Sequence, residues 1–425
     1  MLKIDKANKI QGEITVPGDK SISHRAIILS SISRGPSRIE GFLRGEDCLG
    51  TIDCFRQLGV DIVDKGSIIY VHGKGLGGLR EPGDILDVGN SGTTIRLVSG
   101  ILAGQNFFTI ITGDESIRQR PMDRIAIPLR QMGANIHARG KGNLAPMAIW
   151  GGDLKPIDYT LPVPSAQIKS AILLAGLYTK GETSIRGGGK SRDHTERMLG
   201  AFGANILFEN NLLTLRPSTL YGQEIQIPGD ISSAAFFIAG AAVLPGSHLR
   251  IKNVGLNPTR TGIIDIIREM GGNIEIDNQW MSGGEEIGDI IVRGGKLRGI
   301  NIGGNIIPRL IDEIPVIAVI AALAQGKTLI TGAEELKVKE TNRISAMVEE
   351  MNKLGIRVKE LADGMEIHGP NKIHGGQVES HGDHRIAMAL AIAGLFANSP
   401  VKIKNSNCIG ISFPGFEESL KKIAK

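Results

Sequence analysis

Aromatic side chains are scarce in this chain: they make up 4% of its 425 residues. Proteins that grip single-stranded nucleic acid stack bases on aromatic rings, so a nucleic-acid-binding repeat protein is disfavoured at once. A dense Lys/Arg tract is also missing, and a net charge of +5 over this length suits small anionic ligands better than a duplex. Cysteine occurs only at Cys48, Cys54 and Cys408. An odd number without a CxxC pair argues against a disulfide scaffold and for a reduced, cytoplasmic setting. No apolar run reaches the ~18–20 residues needed to span a bilayer. The start Met1-Leu2-Lys3-Ile4-Asp5-Lys6 carries charges where a secretion signal needs its apolar stretch. The expectation is a cytoplasmic protein that engages neither membrane nor nucleic acid.

Glycine, in contrast, is abundant at 57 residues, and hydrophobic residues make up 41%. The length asks for more than one core at ~100–200 residues per domain, and the glycines point to close backbone packing in place of large rings. A polar start followed by an apolar, helix-like run recurs. It is seen at Ser23-His24-Arg25-Ala26-Ile27, Gly92-Thr93-Thr94-Ile95-Arg96, Ser165-Ala166-Gln167-Ile168-Lys169, Ser232-Ser233-Ala234-Ala235-Phe236, Asp312-Glu313-Ile314-Pro315-Val316 and Asp383-His384-Arg385-Ile386-Ala387. The spacing is roughly 70 residues, longer than short solenoid units. Most copies also hold an amphipathic helix that runs through Gly into a strand, as in Phe55-Arg56-Gln57-Leu58-Gly59-Val60 and Ile267-Arg268-Glu269-Met270-Gly271. Gly there supplies the left-handed C-cap.

Six copies exceed one core and divide three and three. Pro17-Gly18-Asp19 recurs as Pro228-Gly229-Asp230, which predicts two chain crossings. One domain then covers 18–229, and the other joins 1–17 to 230–425. Chemistry-bearing residues sit at the start of almost every buried helix: Lys20, Ser21 and Arg25; Asn90, Thr93 and Arg96; Ser165, Gln167 and Lys169; Asp312; Asp383, His384 and Arg385. Helix N-termini carry unsatisfied N–H groups and partial positive charge, so they bind anions readily.

The individual motifs carry the same message. Pro17 to Arg25 combines a glycine turn, a lysine point charge, capping serines and an arginine fork suited to phosphate or carboxylate, without the spacing of a Walker A loop. Gly89-Asn90-Ser91-Gly92-Thr93-Thr94 reads as a second anion cradle, and Arg118-Gln119-Arg120-Pro121 sets two arginines beside a Pro that forces extended backbone. Arg192-Asp193-His194-Thr195-Glu196 opens a helix with both signs of charge, equally readable as a solvated helix start. Lys339 and Arg343 fall four apart, on one face of an expected helix, with Glu340 beside them. His381-Gly382-Asp383-His384-Arg385 matches no common zinc spacing, and the arginine would repel a cation.

With these motifs assembled, the chain resembles the 5-enolpyruvylshikimate-3-phosphate (EPSP) synthases. PGDKSISHR, GNSGTTIRL, RQRPM, SAQIK, RDHTE, NPTR, KETNR, GDHR and SFPGF occur in the family's order along essentially the whole chain. GDK, SAQIK, RDHTE and NPTR together resemble the second class, many of whose members tolerate glyphosate. The resemblance implies an α/β fold of two domains, the inside-out α/β barrel of enolpyruvyl transferases, each domain with three βαβαββ repeats. It implies condensation of shikimate 3-phosphate with phosphoenolpyruvate (PEP) by addition and elimination, in the shikimate pathway to chorismate and the aromatic amino acids. No metal and no organic cofactor is implied.

Site residues follow by motif position. Shikimate 3-phosphate is expected on Lys20, Ser21, Arg25, Ser165, Ala166, Gln167, Asp312 and Lys339, with Ala166 contributing backbone alone. PEP is expected on Lys20, Gly92, Arg120, Gln167, Arg192, Arg343 and Arg385. Asp312 is the expected base for the 5-hydroxyl, Glu340 the proton donor to the PEP methylene, and Lys20 touches both substrates. Domain 18–229 should bind mainly shikimate 3-phosphate, and the discontinuous domain should complete the PEP and catalytic site. The chain departs from the first class at Ile411, where that class has a Lys, and Arg192 is the expected replacement charge. Glyphosate is the implied inhibitor, with moderate tolerance, since Gly92 is not the alanine of some strongly tolerant members. A monomer is expected. The related UDP-N-acetylglucosamine enolpyruvyl transferases place a reactive Cys shortly before an Arg-Pro pair. Glu115-Ser116-Ile117-Arg118-Gln119-Arg120-Pro121 has none.

Overall fold

The computed structural model describes residues 1–425, apart from the side chain of Lys190. The chain forms two compact units. One is Gly18–Ile227 with Met281–Glu285, and the other is Met1–Pro17, Pro228–Trp280 and Glu286–Lys425. Each has its own hydrophobic core.

The first unit holds three four-stranded sheets of one design. In each, a parallel pair is extended by two antiparallel strands. Thr183–Arg186 pairs parallel with Asp158–Thr160 and antiparallel with Leu212–Leu215, which pairs antiparallel with Ile206–Glu209. The sheet of Phe108–Thr112 repeats this arrangement. So does that of Arg34–Glu40, except that its parallel neighbour, Glu224–Gln226, comes from the far end of the unit. The buried helices α1 (Lys20–Ser31), α2 (Gly92–Leu102) and α3 (Ala166–Gly176) each precede a more exposed helix: Glu46–Gln57, Asp123–Gln131 and His194–Ala201. This is three βαβαββ copies.

The second unit repeats the helix pattern, on two four-stranded sheets and one three-stranded sheet, with α4 (Ile231–Val243), α5 (Ile314–Leu323) and α6 (His384–Gly394), followed by the helices Gly262–Glu269, Arg343–Lys353 and Phe416–Ile423. The chain start closes two of its sheets: Gln11–Thr15 pairs parallel with His248–Gly255, and Leu2–Ile4 pairs antiparallel with Val401–Lys404. α4 and α5 are buried nearly all round, as their continuous Ala, Ile, Val and Phe runs require. None of the helices is long and apolar enough to cross a membrane, among the described residues.

Glycine sets the helix spacing where two buried helices touch. A Cβ at Gly100 of α2 would stand 2.3 Å from the carbonyl oxygen of Ala171 in α3. Only hydrogen fits there, and the two helices approach through their backbones.

Candidate active site

In the first unit, the Oδ1 of Asp19 accepts the N–H of Ile22 at 2.9 Å and caps α1. Lys20, at the first helical position, forms an ion pair with Asp47 of the neighbouring helix. Arg25 lies one turn further in and is buried. Its Nε donates to Thr195 Oγ1 (2.7 Å), its Nη1 to the Ser21 carbonyl (2.9 Å) and its Nη2 to Ser170 Oγ (3.1 Å). Burial pushes its pKa down to about 10, opposed by the negative charges of Glu196, Asp19 and Glu285 and assisted by Arg192. It stays cationic at neutral pH.

Ser91 caps α2 by accepting the Thr94 N–H at 3.1 Å. Arg96 donates from Nη1 to the Gln167 Oε1 at 3.1 Å. Arg120 donates from Nη2 to Asn90 Oδ1 (3.0 Å) and Ser116 Oγ (2.9 Å). A Cβ on Gly92 would lie 2.7 Å from Arg96 Nη1 and 3.2 Å from Arg120 Nη1, so the glycine sits between two guanidinium groups. Burial, with Arg120 and Arg124 nearby, lowers the pKa of Arg96 to about 10. Cations packed this way, beside three helix N-termini, make a site for anions.

Ser165 Oγ accepts the Ile168 N–H at 3.4 Å and begins α3. The bonds Arg25–Ser170 and Arg96–Gln167 therefore tie the N-terminal halves of α1 and α2 to that of α3. A buried chain of hydrogen bonds runs from His24 Nδ1 to Thr51 Oγ1 (2.7 Å), Thr94 Oγ1 (2.7 Å) and Ser91 Oγ (2.6 Å).

In the second unit, the guanidinium of Arg343, 1% exposed, holds three carboxylates. Its Nε donates to Asp383 Oδ2 (2.7 Å), its Nη1 to Asp312 Oδ1 (3.2 Å) and its Nη2 to Glu340 Oε2 (2.6 Å). Arg385 donates from Nη1 to the Asp312 carbonyl at 3.3 Å, and Asp383 Oδ1 accepts its backbone N–H at 2.8 Å. Burial alone would raise the Glu340 pKa. The charge of Arg343, then a backbone N–H bond and the charge of Arg385, outweigh it and hold Glu340 below the usual carboxylate range. Next to Asp312, Glu313 is buried and accepts from Ser232 Oγ, which also takes a bond from Arg260 Nη2 at 2.8 Å. Burial, then the charge of Asp312, raises the Glu313 pKa.

One sequence expectation is corrected. Lys339 and Arg343 do not share a helix face. A 3-10 turn, Glu334–Val338, ends at Lys339, and a new helix starts at Arg343, capped by Asn342 accepting from the Ser345 N–H. Lys339 pairs instead with Glu335. The Arg192 segment is no solvated helix start either, since His194 and Thr195 are buried. Asp47, Glu285 and Glu313 were not anticipated, and only the Gly-Gly pair before Glu285 marks any of them in the sequence. Glu349, Glu350 and His381 cluster closely, but Lys353 Nζ lies 2.8 Å from both carboxylates, where a cation would bind.

The family profile EPSP synthase (3-phosphoshikimate 1-carboxyvinyltransferase) matches residues 4–420. A 3-phosphoshikimate 1-carboxyvinyltransferase of Alkaliphilus metalliredigens is 67% identical over 425 residues, the whole of both chains. The solved EPSP synthase of Acinetobacter baumannii superposes with a TM-score of 0.94 at 45% identity, covering 99% of this chain and 98% of that one. The enolpyruvyl transferase NikO of Streptomyces tendae, at 18% identity and a TM-score of 0.79 over 99% of this chain and 96% of its own, shares the fold.

Proposed function

The chain belongs to the EPSP synthase family, and from that premise we propose that the arginine-rich cluster of each unit serves one and the same transfer reaction. The enzyme moves the enolpyruvyl group of PEP to the 5-hydroxyl of shikimate 3-phosphate and releases phosphate. The two substrates bring roughly five to six negative charges at neutral pH, which matches the cations gathered at the helix starts. In this reading Lys20, Ser21, Arg25, Ser165, Ala166 and Gln167 hold shikimate 3-phosphate, and Gly92, Arg120, Arg192, Arg343 and Arg385 hold PEP. Lys339 serves the shikimate side from its 3-10 turn. Domain 18–229 carries mainly the first substrate, and the discontinuous domain carries the acid–base pair. Glyphosate, a cytoplasmic location and a monomeric state belong to the same reading.

The observation that carries the acid–base assignment is the Arg343 fork, which supports Asp312 and Glu340 from one guanidinium. Two carboxylates in different surroundings can divide the proton transfers. Asp312 takes the 5-hydroxyl proton as that oxygen bonds to C2 of PEP, and Glu340 supplies a proton to C3. In the elimination Glu340 takes a proton back from C3 while the C2–O bond to phosphate breaks. Glu340 starts ionised, and bound anions raise its pKa toward the value a donor needs. The test is phosphate release from PEP with shikimate 3-phosphate and, separately, with UDP-N-acetylglucosamine. Turnover is expected with the first acceptor only. Asp312→Ala and Glu340→Ala should each lower kcat by about a hundredfold or more with little change in substrate affinity. Equal losses of both would leave these carboxylates a binding role only.

A further inference from the structure

The helix His194–Ala201 opens with two buried side chains, His194 and Thr195, and the partly buried Glu196, and each fastens something. His194 Nδ1 lies 2.8 Å from Glu285 Oε1, and the two side chains are 2% and 1% exposed. Thr195 Oγ1 takes the Nε–H of Arg25 and shares a 2.6 Å hydrogen bond with Ser170 Oγ. Glu196 pairs with the buried Lys169.

Glu285 arrives from far along the chain, on the hairpin tip Met281–Glu285 that packs with residues 18–227. Two features seat that tip. Ser282 Oγ accepts the N–H of Gln226 at 2.8 Å. Gly283 and Gly284 have φ of +56° and +85°, and a Cβ on Gly284 would stand 2.3 Å from the Arg197 carbonyl oxygen. Gly284 is thus fitted by shape to the same helix that Glu285 holds by its carboxylate.

A buried carboxylate is a poor choice for stability alone, because desolvation consumes most of what its pairing returns. Its position gives it another use. Arg25 has five N–H groups, and its hydrogen bonds to Ser21, Thr195 and Ser170 occupy one on each nitrogen. One remains on each terminal nitrogen, the pair that grips a phosphate or carboxylate in two-point fashion. The three bonds together set the direction of that pair; two of the acceptors, Thr195 and the Ser170 bonded to it, depend on the helix start that Glu285 anchors through His194.

We propose that Glu285 is a positioning residue for the shikimate 3-phosphate subsite, aiming the Arg25 guanidinium through His194 and Thr195. The proposal rests on the reading of Arg25 as a shikimate 3-phosphate ligand. Glu285's negative charge also helps hold Arg25 charged against its burial.

The experiment measures phosphate release with the full-length enzyme, varying shikimate 3-phosphate at saturating PEP, for Arg25→Ala, Glu285→Gln and Glu285→Ala. A thermal midpoint is recorded for each. Gln at 285 keeps an acceptor for His194, so its KM for shikimate 3-phosphate should rise only a few-fold. Ala removes the anchor, and KM should rise about tenfold or more. In both, kcat and the KM for PEP should stay within about twofold, and Gln should restore most of what Ala loses. A lowered thermal midpoint with unchanged KM in the Gln and Ala variants would make Glu285 structural and overturn the proposal. If Ala prevents folding, Gln decides alone: a KM equal to that of the unaltered enzyme overturns it. An unchanged KM in Arg25→Ala would sink the Arg25 reading itself. A raised KM there, with Glu285 variants unaffected, sinks only the positioning role.

Discussion

Replacing Arg343 by Met keeps the apolar stem and removes the one group that bridges Asp383, Asp312 and Glu340. The three contacts are not equal. Glu340 is 47% exposed, so its share falls in the surface range of ~0–1 kcal/mol. Asp312 keeps Arg385, whose Nε lies 3.7 Å from its Oδ1. Asp383 is 0% exposed, and its carboxylate would keep only the backbone N–H of Arg385 as a donor among the described residues. Breaking a buried pair on one side costs about 3–5 kcal/mol, and most of that loss should come from Asp383. For a unit of this size each kcal/mol lowers the midpoint by ~2–4 °C, so a fall of about 6–20 °C is expected for the second unit. Thermal unfolding at neutral pH measures it, followed by tryptophan fluorescence in a Trp150→Phe background that leaves Trp280 as the reporter. Adding Asp383→Asn to Arg343→Met should recover part of the loss, with a coupling of ~1–3 kcal/mol in the double-mutant cycle. Arg343→Lys should rescue little, because one ammonium cannot reach three carboxylates as a planar fork does. A loss below about 1 kcal/mol in Arg343→Met would refute the view that this guanidinium organises the cluster.

Two further outcomes test the packing and the charge. Gly100→Ala should destabilise the first unit by about 1–3 kcal/mol, because its Cβ meets the backbone carbonyl of Ala171 at 2.3 Å and one helix must shift to admit it. Gly152 of the same unit, with nothing within 4 Å, is the control, and equal urea midpoints for the two Ala variants would count against backbone contact as the reason. Burial, and next the charge of Arg385, depresses the His384 pKa to about 4 from an ordinary value near 6.5. A depressed folded-state value means the associated stability is complete above about pH 6.5 and drains away as pH falls toward 4, with a limiting slope of ~1.4 kcal/mol per pH unit. His384→Gln should therefore flatten the dependence of urea stability on pH across that window. His24, shifted the same way, leaves a residual slope, and identical slopes in variant and unaltered enzyme would exclude His384 as a source.

The division between what was legible in the sequence and what was not follows the range of the interactions. Caps and anion cradles are local: Asp19, Ser91, Ser165 and Asp383 each bond a backbone N–H two or three residues on. The helix starts could therefore be read along the chain, and six of them at even spacing imply the repeated sheets. Lys339 failed for the same local reason. Asn342 is itself a cap, and a cap between two residues means that no single helix carries both, whatever their spacing suggests.

Glu285 was invisible because its partner lies 91 residues away and its local signature, Ser282-Gly283-Gly284, says only that the chain turns. Asp47 is hidden in the same way, an ordinary acidic residue in the first turn of a helix until the fold sets it against Lys20. Sequence thus names the charged and polar groups at the helix starts, because helix geometry places them. Carboxylates such as Asp47 and Glu285, which pair with Lys20 and His194, come from other elements, and only the fold brings them there. For an anion site built from buried cations, that second set determines whether a guanidinium presents two parallel N–H groups or one. Site residues transferred by motif alone therefore specify which charges gather, and leave open the directions in which their hydrogen bonds point.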